Sequence, residues 1–300
     1  VRAAGGSING RGAGVTIERL AIVGVGLIGG SLALALRRAG YCHEVVGAGR
    51  DRASLQRALD MGVIDRFELD VCSAVRGADV VVLATPVGVI ESVCRSMRGC
   101  LGDTSILTDV GSVKAAVVQA VEAGLGRLPT HFVPGHPIAG RERAGVEAAE
   151  ADLYQGRRVI LTPLPEGDVT AALAVKRMWE AAGAQVENMP VAHHDEVLAA
   201  TSHLPHLLAY TLVSSLSRLD EQEEIFRYAA GGFRDFTRIA SSDPVMWRDI
   251  CLHNRDDIVA MLRHFRGDLD ILEKAIAGAD GDRLLTLFQR AKQTRDRFCG

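Results

Sequence analysis

Metal-ligand spacing is missing from this chain. Its nine histidines include no H-E-x-x-H pair, and its six cysteines (Cys42, Cys72, Cys94, Cys100, Cys251 and Cys299) form no C-x-x-C motif. Both patterns mark zinc or dithiol sites, so no metal site is expected. Residues 1–15 are rich in glycine and alanine and lack the apolar core of a secretory signal; they read as a flexible leader. Without an export signal the cysteines are expected as reduced thiols, mostly packing residues. No uninterrupted apolar run approaches the roughly 18–20 residues that span a bilayer. Positive charge is not in excess either. A net charge of −3 argues against a nucleic-acid or membrane-surface partner. Beyond the leader there is no internal repeat or low-complexity block. What is left reads as a soluble cytoplasmic protein of 300 residues, 48% hydrophobic, with enough apolar material for two domains.

The most informative stretch runs from Arg19 to Leu34. An apolar segment of strand type leads into Gly24, Gly26 and Gly29 at G-x-G-x-x-G spacing, and an Ala/Leu-rich helix follows at once. The spacing suits a dinucleotide. Gly24 permits the tight turn, Gly26 lets a pyrophosphate approach the backbone, and Gly29 lets helix and strand pack closely. The free amides that open the helix, around Leu27 and Ile28, then face the phosphates. About 20 residues further on, an NAD-binding chain should carry an acidic residue for the ribose. This one has Gly49, then Arg50, Asp51 and Arg52. Glycine removes the charge that would repel a 2′-phosphate, and the arginines offer cationic forks for it. The pattern favours NADP. NAD stays open if Asp51, shifted by a residue or two, serves the ribose and the arginines are merely solvated.

Short apolar runs then alternate with helical periodicity to about Pro190, as parallel βαβ units do. Candidate strands are Leu20–Val23, Val45–Gly47, Val80–Ala84, Ser105–Asp109, Phe132–Gly135, Arg158–Thr162 and Gln185–Met189. Helices are expected to begin near Gly30, Ser54, Gly88, Lys114 and Thr170. After Pro190 only helical patterns remain: His194–Leu219, interrupted by Pro205, then Gln222–Ala230, Pro244–Arg266 and Asp282–Phe298. The expected architecture is α/β: a doubly wound, mainly parallel Rossmann-type sheet over 16–190, then an all-helical domain over 191–300. Long amphipathic helices in so small a domain point to a homodimer that completes its core across the interface.

In open parallel sheets, ligands sit outside the carboxyl ends of the strands. Thr85 and Pro86 lie at one such end and line the expected cofactor crevice. Asp109-Val110-Gly111-Ser112-Val113-Lys114 lies at the next, where Ser112 is either a helix cap or a site residue. His136, in His-Pro-Ile-Ala-Gly after a strand, is placed to exchange protons near neutral pH. In the helical part, Ser202 and His206 share a helix face around Pro205, with His203 between them. Gly231–Ala240 reads as an elaborate loop in which Arg234 or Arg238 offers a fork for a carboxylate. Trp247 suits packing at least as well as ligand contact.

Gly24–Gly30, Asp109–Lys114, His136–Gly140, Ser202–His206, Gly231–Ala240 and Ser242–Asp249, in that order, resemble the prephenate/arogenate (cyclohexadienyl) dehydrogenases of tyrosine biosynthesis. Glu142 to Pro163 is similar to the same family. Any one motif is unspecific, whereas six in order are not. The resemblance implies that His136 takes up the ring hydroxyl proton as hydride leaves, with Ser112 on the hydroxyl and beside the nicotinamide. It implies that Arg238 binds the ring carboxylate and His206 the side chain, with His203 and Ser202 around it. Glu142, Asp235 and Trp247 would order the site. Two other readings share the two-domain plan: a 2-hydroxyacid or imine reductase, and a non-catalytic NADP-sensing regulator. The reductases usually place a lysine where this chain has histidines and Arg238, and the regulator leaves His136 and the Gly231–Arg238 segment without a purpose.

Overall fold

The structure, a computed structural model, describes residues 17–140, 143–220 and 222–298. The leader over 1–15, Arg141, Glu142 and Cys299 lie outside the described residues. The first half runs β1 (Ile17–Val23), α1 (Leu27–Arg38), β2 (Cys42–Ala48), α2 (Arg52–Asp60), β3 (Arg66–Glu68), α3 (Val71–Val75), β4 (Val80–Leu83), α4 (Ile90–Ser96), β5 (Ile106–Asp109) and α5 (Lys114–Leu125). Then come β6 (Phe132–Val133), β7 (Gly135–Pro137), β8 (Arg158–Leu161), α6 (Val169–Ala181) and β9 (Gln185–Asn188). The rest is helical: α7 (Val191–Leu198), α8 (Leu204–Leu216), α9 (Gln222–Arg227), α10 (Gly231–Thr237), α11 (Pro244–His253), α12 (Arg255–Ala277) and α13 (Gly281–Phe298).

Six strands form a parallel sheet in the order β3-β2-β1-β4-β5-β6, the Rossmann arrangement with its crevice between β1 and β4. Its central strands are apolar without alternation because both faces are covered. Leu20 and Ile22 of β1, with Val80 and Val82 of β4, pack in the cluster that includes Leu32, Leu36 and Trp179. Ala21, Val23, Val81 and Leu83 point the other way, into a cluster with Ile90, Cys94, Val117 and Val121. Successive strand residues thus feed opposite layers.

The expected strand Phe132–Gly135 is split at Pro134. Phe132 and Val133 finish the parallel sheet beside Leu107 and Thr108. Gly135–Pro137 starts a second sheet of order β7-β8-β9, antiparallel to β8, with His136 opposite Ile160. Pro134 has no N–H to give to the first ladder, while its carbonyl accepts from Thr162 N at 2.9 Å across to the second. The switch leaves His136 on an edge strand at the carboxyl end of the parallel sheet.

Three further differences have physical causes. The strand β3 carries Arg-Phe-Glu and no apolar run, so it has no sequence signal; it pairs only as an edge beside Val46–Ala48. Gly231–Thr237 is a helical turn continued as a 3-10 turn over Arg238–Ser241, not a loop. Tertiary contact decides this: Tyr210 of α8 donates its hydroxyl to Ser242 O at 2.6 Å and holds the end of the segment. Finally, the expectation of six reduced cysteines is overturned at one pair. Cys72 and Cys100 form a disulfide with Cα atoms 5.4 Å apart. They precede the neighbouring strands β4 and β5, so the sheet brings together thiols 28 residues apart. Cys42, Cys94 and Cys251 are free, and Cys94 is a packing residue.

Candidate active site

The glycine turn has the geometry its spacing predicts. Gly24 has φ of +100°, and its N–H donates to Ala48 O at 2.8 Å; a Cβ there would run into the Ala84 carbonyl. A Cβ on Gly29 would lie 2.5 Å from Gly24 O and 2.8 Å from Ile22 Cγ2, so this glycine sets how closely α1 packs on β1. Around Gly26 nothing lies within 4 Å of a Cβ, and no side chain caps α1. Open space faces the free amides of Leu27 and Ile28, the arrangement an anion requires. The residues present therefore fit a dinucleotide pyrophosphate.

Beside this turn a cavity of about 660 Å³ is lined by Val25, Gly49, Arg50, Asp51, Ser54 and Leu55. Asp51 is the N-cap of α2 and accepts from Ala53 N at 3.0 Å. Arg52 lies over the Phe67 ring, 5.6 Å from its centroid, whereas Arg50 borders the cavity. Thr85 and Pro86 follow β4, and Thr85 Oγ1 is buried without a partner in the described residues.

Deeper in the crevice, polar side chains from both halves meet. Lys114, wholly buried at the start of α5, donates to the Asp109 carboxylate and, at 2.6 Å, to Gly135 O. Asp109 also accepts from the amides of Gly111 at 2.7 Å and Gly135 at 3.1 Å. Burial pushes the Lys114 ammonium down, and Asp109 opposes that shift. The N-cap of α5 is Val113 rather than Ser112. The amides of Lys114 and Ala115 are taken instead by Asp195 of α7, each at 2.8 Å. Ser112 is thereby released from the capping role it often has at such a turn.

Next to Lys114 stands His136, with 9% of its surface exposed, enough for one edge to be reached. Its Nδ1 lies 2.9 Å from His194 Nε2, and His194 Nδ1 lies 2.7 Å from Asp195 Oδ1. Burial holds the His136 imidazole well below its usual pKa, and the neighbouring His194, Lys114 and His203 push the same way. Burial also raises the Asp195 carboxyl, but hydrogen bonds from His194 and the two amides outweigh it and the net shift is downward.

The predicted interruption at Pro205 is a π turn over Ala199–His203 between α7 and α8. It swings His203 inward. Asn254, between α11 and α12, donates from Nδ2 to Asp195 O at 3.0 Å and to His203 Nδ1 at 3.1 Å. An Nδ1 that accepts leaves the proton of neutral His203 on Nε2, which is buried with no partner among the described residues. His206 donates from Nδ1 to Ser202 O at 2.9 Å and stacks on Trp247, ring centroids 3.9 Å apart. Trp247 itself packs with Val113, Ala199, Ile250 and Ile258, which joins the nucleotide-binding half to the helices. Arg238 and Asp235 are exposed on the α10 segment, in the turn tied to α8 through Tyr210.

Sequence reasoning thus missed His194, Asp195, Asn254 and the position of Lys114 beneath His136. A His-Asp pair on a helix has the look of a solvated face; only its burial betrays it. Among the described residues no cluster of His, Cys, Asp or Glu has the geometry of a metal site. No helix among them is long and apolar enough to cross a membrane.

These buried histidines carry a pH signature. Burial pushes His203 down to about 4 and lowers His136 and His206 too. The unfolded chain takes up these protons near pH 6.5, so the stability concerned is complete above that value and is lost as pH falls toward the folded values. Unfolding followed by circular dichroism should show a lower Tm at pH 5 than at pH 7. His203 alone accounts for roughly 2 kcal/mol over that range. An unchanged Tm would mean that these rings do protonate in the fold.

Comparison with known proteins places this geometry. Residues 32–188 match the family described as prephenate dehydrogenase, nucleotide-binding domain, and residues 190–290 the family described as prephenate dehydrogenase, dimerization domain. A cyclohexadienyl dehydrogenase of Zymomonas mobilis is 40% identical over 285 residues, covering 93% of this chain and 95% of the relative. A crystal structure of prephenate dehydrogenase from A. aeolicus, in complex with hydroxyphenyl propionate and NAD+, superposes with a TM-score of 0.87 at 37% identity, covering 94% of this chain and 98% of that one. Synechocystis arogenate dehydrogenase gives a TM-score of 0.79 at 28% identity, covering 93% and 99%.

Proposed function

The chain belongs to the prephenate dehydrogenase family, and we propose that its buried His136 is the base of the family's reaction. The reaction is the oxidative decarboxylation of prephenate or arogenate with a nicotinamide dinucleotide, a step of tyrosine biosynthesis. The observation that carries the assignment of His136 is its placement: neutral, nearly buried, at a sheet switch beside the crevice, with Nδ1 held by His194.

The bound nicotinamide supplies the hydride acceptor. The chain must supply a base, an orienting hydroxyl and a clamp for an anion. His136 takes the proton of the ring hydroxyl as the ring carbon is oxidised to a ketone. Ser112 holds that hydroxyl. The ketone is vinylogous to the carboxylated carbon opposite, so the C–C bond breaks, its electron pair enters the ring, and carbon dioxide leaves as the ring becomes aromatic. Arg238 binds the ring carboxylate before it departs, tightly enough to orient it and not so tightly as to trap it. His206, His203 and Ser202 receive the side chain, and the unpartnered Nε2 proton of His203 supports this. Asp235, Trp247 and Glu142, the last outside the described residues, order the site.

We read the cofactor preference as NADP. Gly49 offers no carboxylate, Arg50 borders the cavity, and the Asp51 side chain is engaged as a helix cap. Two units, 16–190 and 191–300, fit the end of β9 at Asn188 and the start of α7 at Val191. A homodimer through the helical unit is supported by the apolar face of α12, where Leu262, Leu269 and Ile276 are exposed. Both ring acids are taken as substrates.

The test is a steady-state assay of reduced-nicotinamide formation that crosses prephenate and arogenate with NAD and NADP. Turnover with both acids and a higher kcat/KM with NADP is expected. Preference for NAD would sink the reading of Arg50. In the same assay Arg238→Gln should raise the apparent KM tenfold or more, from a charged hydrogen bond of about 1.5–3 kcal/mol. Wild-type kinetics would remove Arg238 as the clamp.

A further inference from the structure

A base is useful only if the nitrogen facing the substrate is bare. We infer that His194 and Asp195 are positioning residues that fix His136 as the tautomer protonated on Nδ1, leaving Nε2 free to accept the substrate's proton. This deepens the assignment of His136 as the base and rests on it.

The chain of contacts ends at Asp195. Asp195 accepts from the amides of Lys114 and Ala115, so it acts as a carboxylate. A carboxylate only accepts, and the 2.7 Å contact to His194 Nδ1 therefore carries the proton of His194. A neutral His194 then presents a lone pair on Nε2. The 2.9 Å contact between His194 Nε2 and His136 Nδ1 has room for one proton, and it belongs to His136. The bare nitrogen of His136 is consequently Nε2. When that nitrogen takes the hydroxyl proton, the new imidazolium keeps its Nδ1–H on His194, whose own Nδ1–H stays on the Asp195 carboxylate. No proton needs to travel further.

The arrangement is anchored from several directions. His194 is wholly buried, and Asp195 nearly so. Asn254 grips the Asp195 carbonyl at 3.0 Å, and His136 and His194 meet edge to face with centroids 5.1 Å apart. Asp195 also caps α5, the helix that follows the Ser112 loop, so one carboxylate sets the loop and the base in register. Such an orienting residue acts through the base, as the third member of a catalytic triad does.

Asp195→Asn separates this role from simple support. With its NH2 in the place of Oδ1 it donates to His194 Nδ1, while the amide oxygen in the place of Oδ2 still accepts from Ala115 N and only the Lys114 amide loses its partner. That moves the His194 proton to Nε2 and the His136 proton to its own Nε2, the wrong nitrogen for a base. Two readouts follow. In 15N-histidine-labelled protein with NAD+ bound, long-range proton–nitrogen correlations should show His136 protonated on Nδ1 in the wild type and on Nε2 in Asp195→Asn. The His136 signals are assigned by their loss in His136→Asn. In kinetics, Asp195→Asn should lower kcat at least about 100-fold, the low end of what a positioned base supplies, with KM changed less than about threefold. His194→Phe, which keeps a ring but offers no acceptor, should lose as much, and the double variant no more than either single one.

Protonation of wild-type His136 on Nε2 would overturn the inference, and so would a wild-type kcat in His194→Phe. Neither depends on Asp195→Asn folding. If His136→Asn retains its kcat, the base assignment itself fails; if it loses kcat while His136 carries its proton on Nε2, only the role of His194 and Asp195 does.

Discussion

His136→Asn is expected to lower kcat by about 10²–10⁴-fold, the usual worth of a positioned base. Asparagine nearly fills the space and can still donate to His194 Nε2, so the crevice should keep its shape. It has no nitrogen that accepts a proton near neutral pH. The glycine turn from Gly24 to Gly29 lies on another strand, and the dissociation constant for the reduced cofactor, read by fluorescence titration, should stay within about twofold. A second readout follows from electrostatics. Burial, His194 and Lys114 hold His136 well below its usual pKa. Wild-type kcat/KM should therefore stay level as pH falls through about 6.5 and decline only at lower values. In the variant the decline due to this group should vanish. Retained turnover, or an unchanged acid limb, would take the base role away from His136.

Lys114→Met is expected to cost the fold about 3–5 kcal/mol, because it removes one partner of a buried ion pair and leaves the other charged. Methionine has nearly the same length and fills the same volume, so packing changes little. The loss is electrostatic. Asp109 would keep only the amides of Gly111 and Gly135, and Gly135 O would lose the ammonium that it accepts from. At about 2–4 °C per kcal/mol for a domain of this size, Tm should fall on the order of 10 °C. Removing the positive charge beside His136 also makes its protonation easier, so the acid limb of kcat/KM should move to higher pH. Adding Asp109→Asn should recover part of the lost stability, since the orphaned charge goes with it. A Tm within a degree of wild type would show that the Lys114–Asp109 pair does not support the fold.

Legibility followed sequence distance. The turn from Gly24 to Gly29 is complete within six residues: Gly24 takes a positive φ and Gly29 packs on the Gly24 carbonyl and Ile22, although the Ala84 carbonyl that also crowds Gly24 comes from the end of β4. The central strands were legible because burial on both faces leaves an unbroken apolar run. The edge strand Arg66–Glu68 has no such run, and the helical turn at Gly231–Thr237 depends on contact with α8. His136 stood out as a polar residue at a strand end, though not its partners. His194 is 58 residues away and Lys114 is held to Gly135 across 21, distances at which no local pattern operates.

Local pattern along the chain is enough for the dinucleotide turn, the alternation that builds a doubly wound sheet, the change to helices near 190, and the roster of polar residues from which a site is drawn. All of these depend on local backbone preference and hydrophobic period. Tertiary structure alone decided which of those polar residues meet. The break at Pro134 turns His136 out of the parallel sheet, and the sheet order brings Cys72 to Cys100. Docking of α7 on α5 then buries Asp195 against two helix amides and His194 against His136. Burial removes water as the competing partner, so each of these groups must find its hydrogen bonds in the protein, and that demand fixes the chemistry of the site.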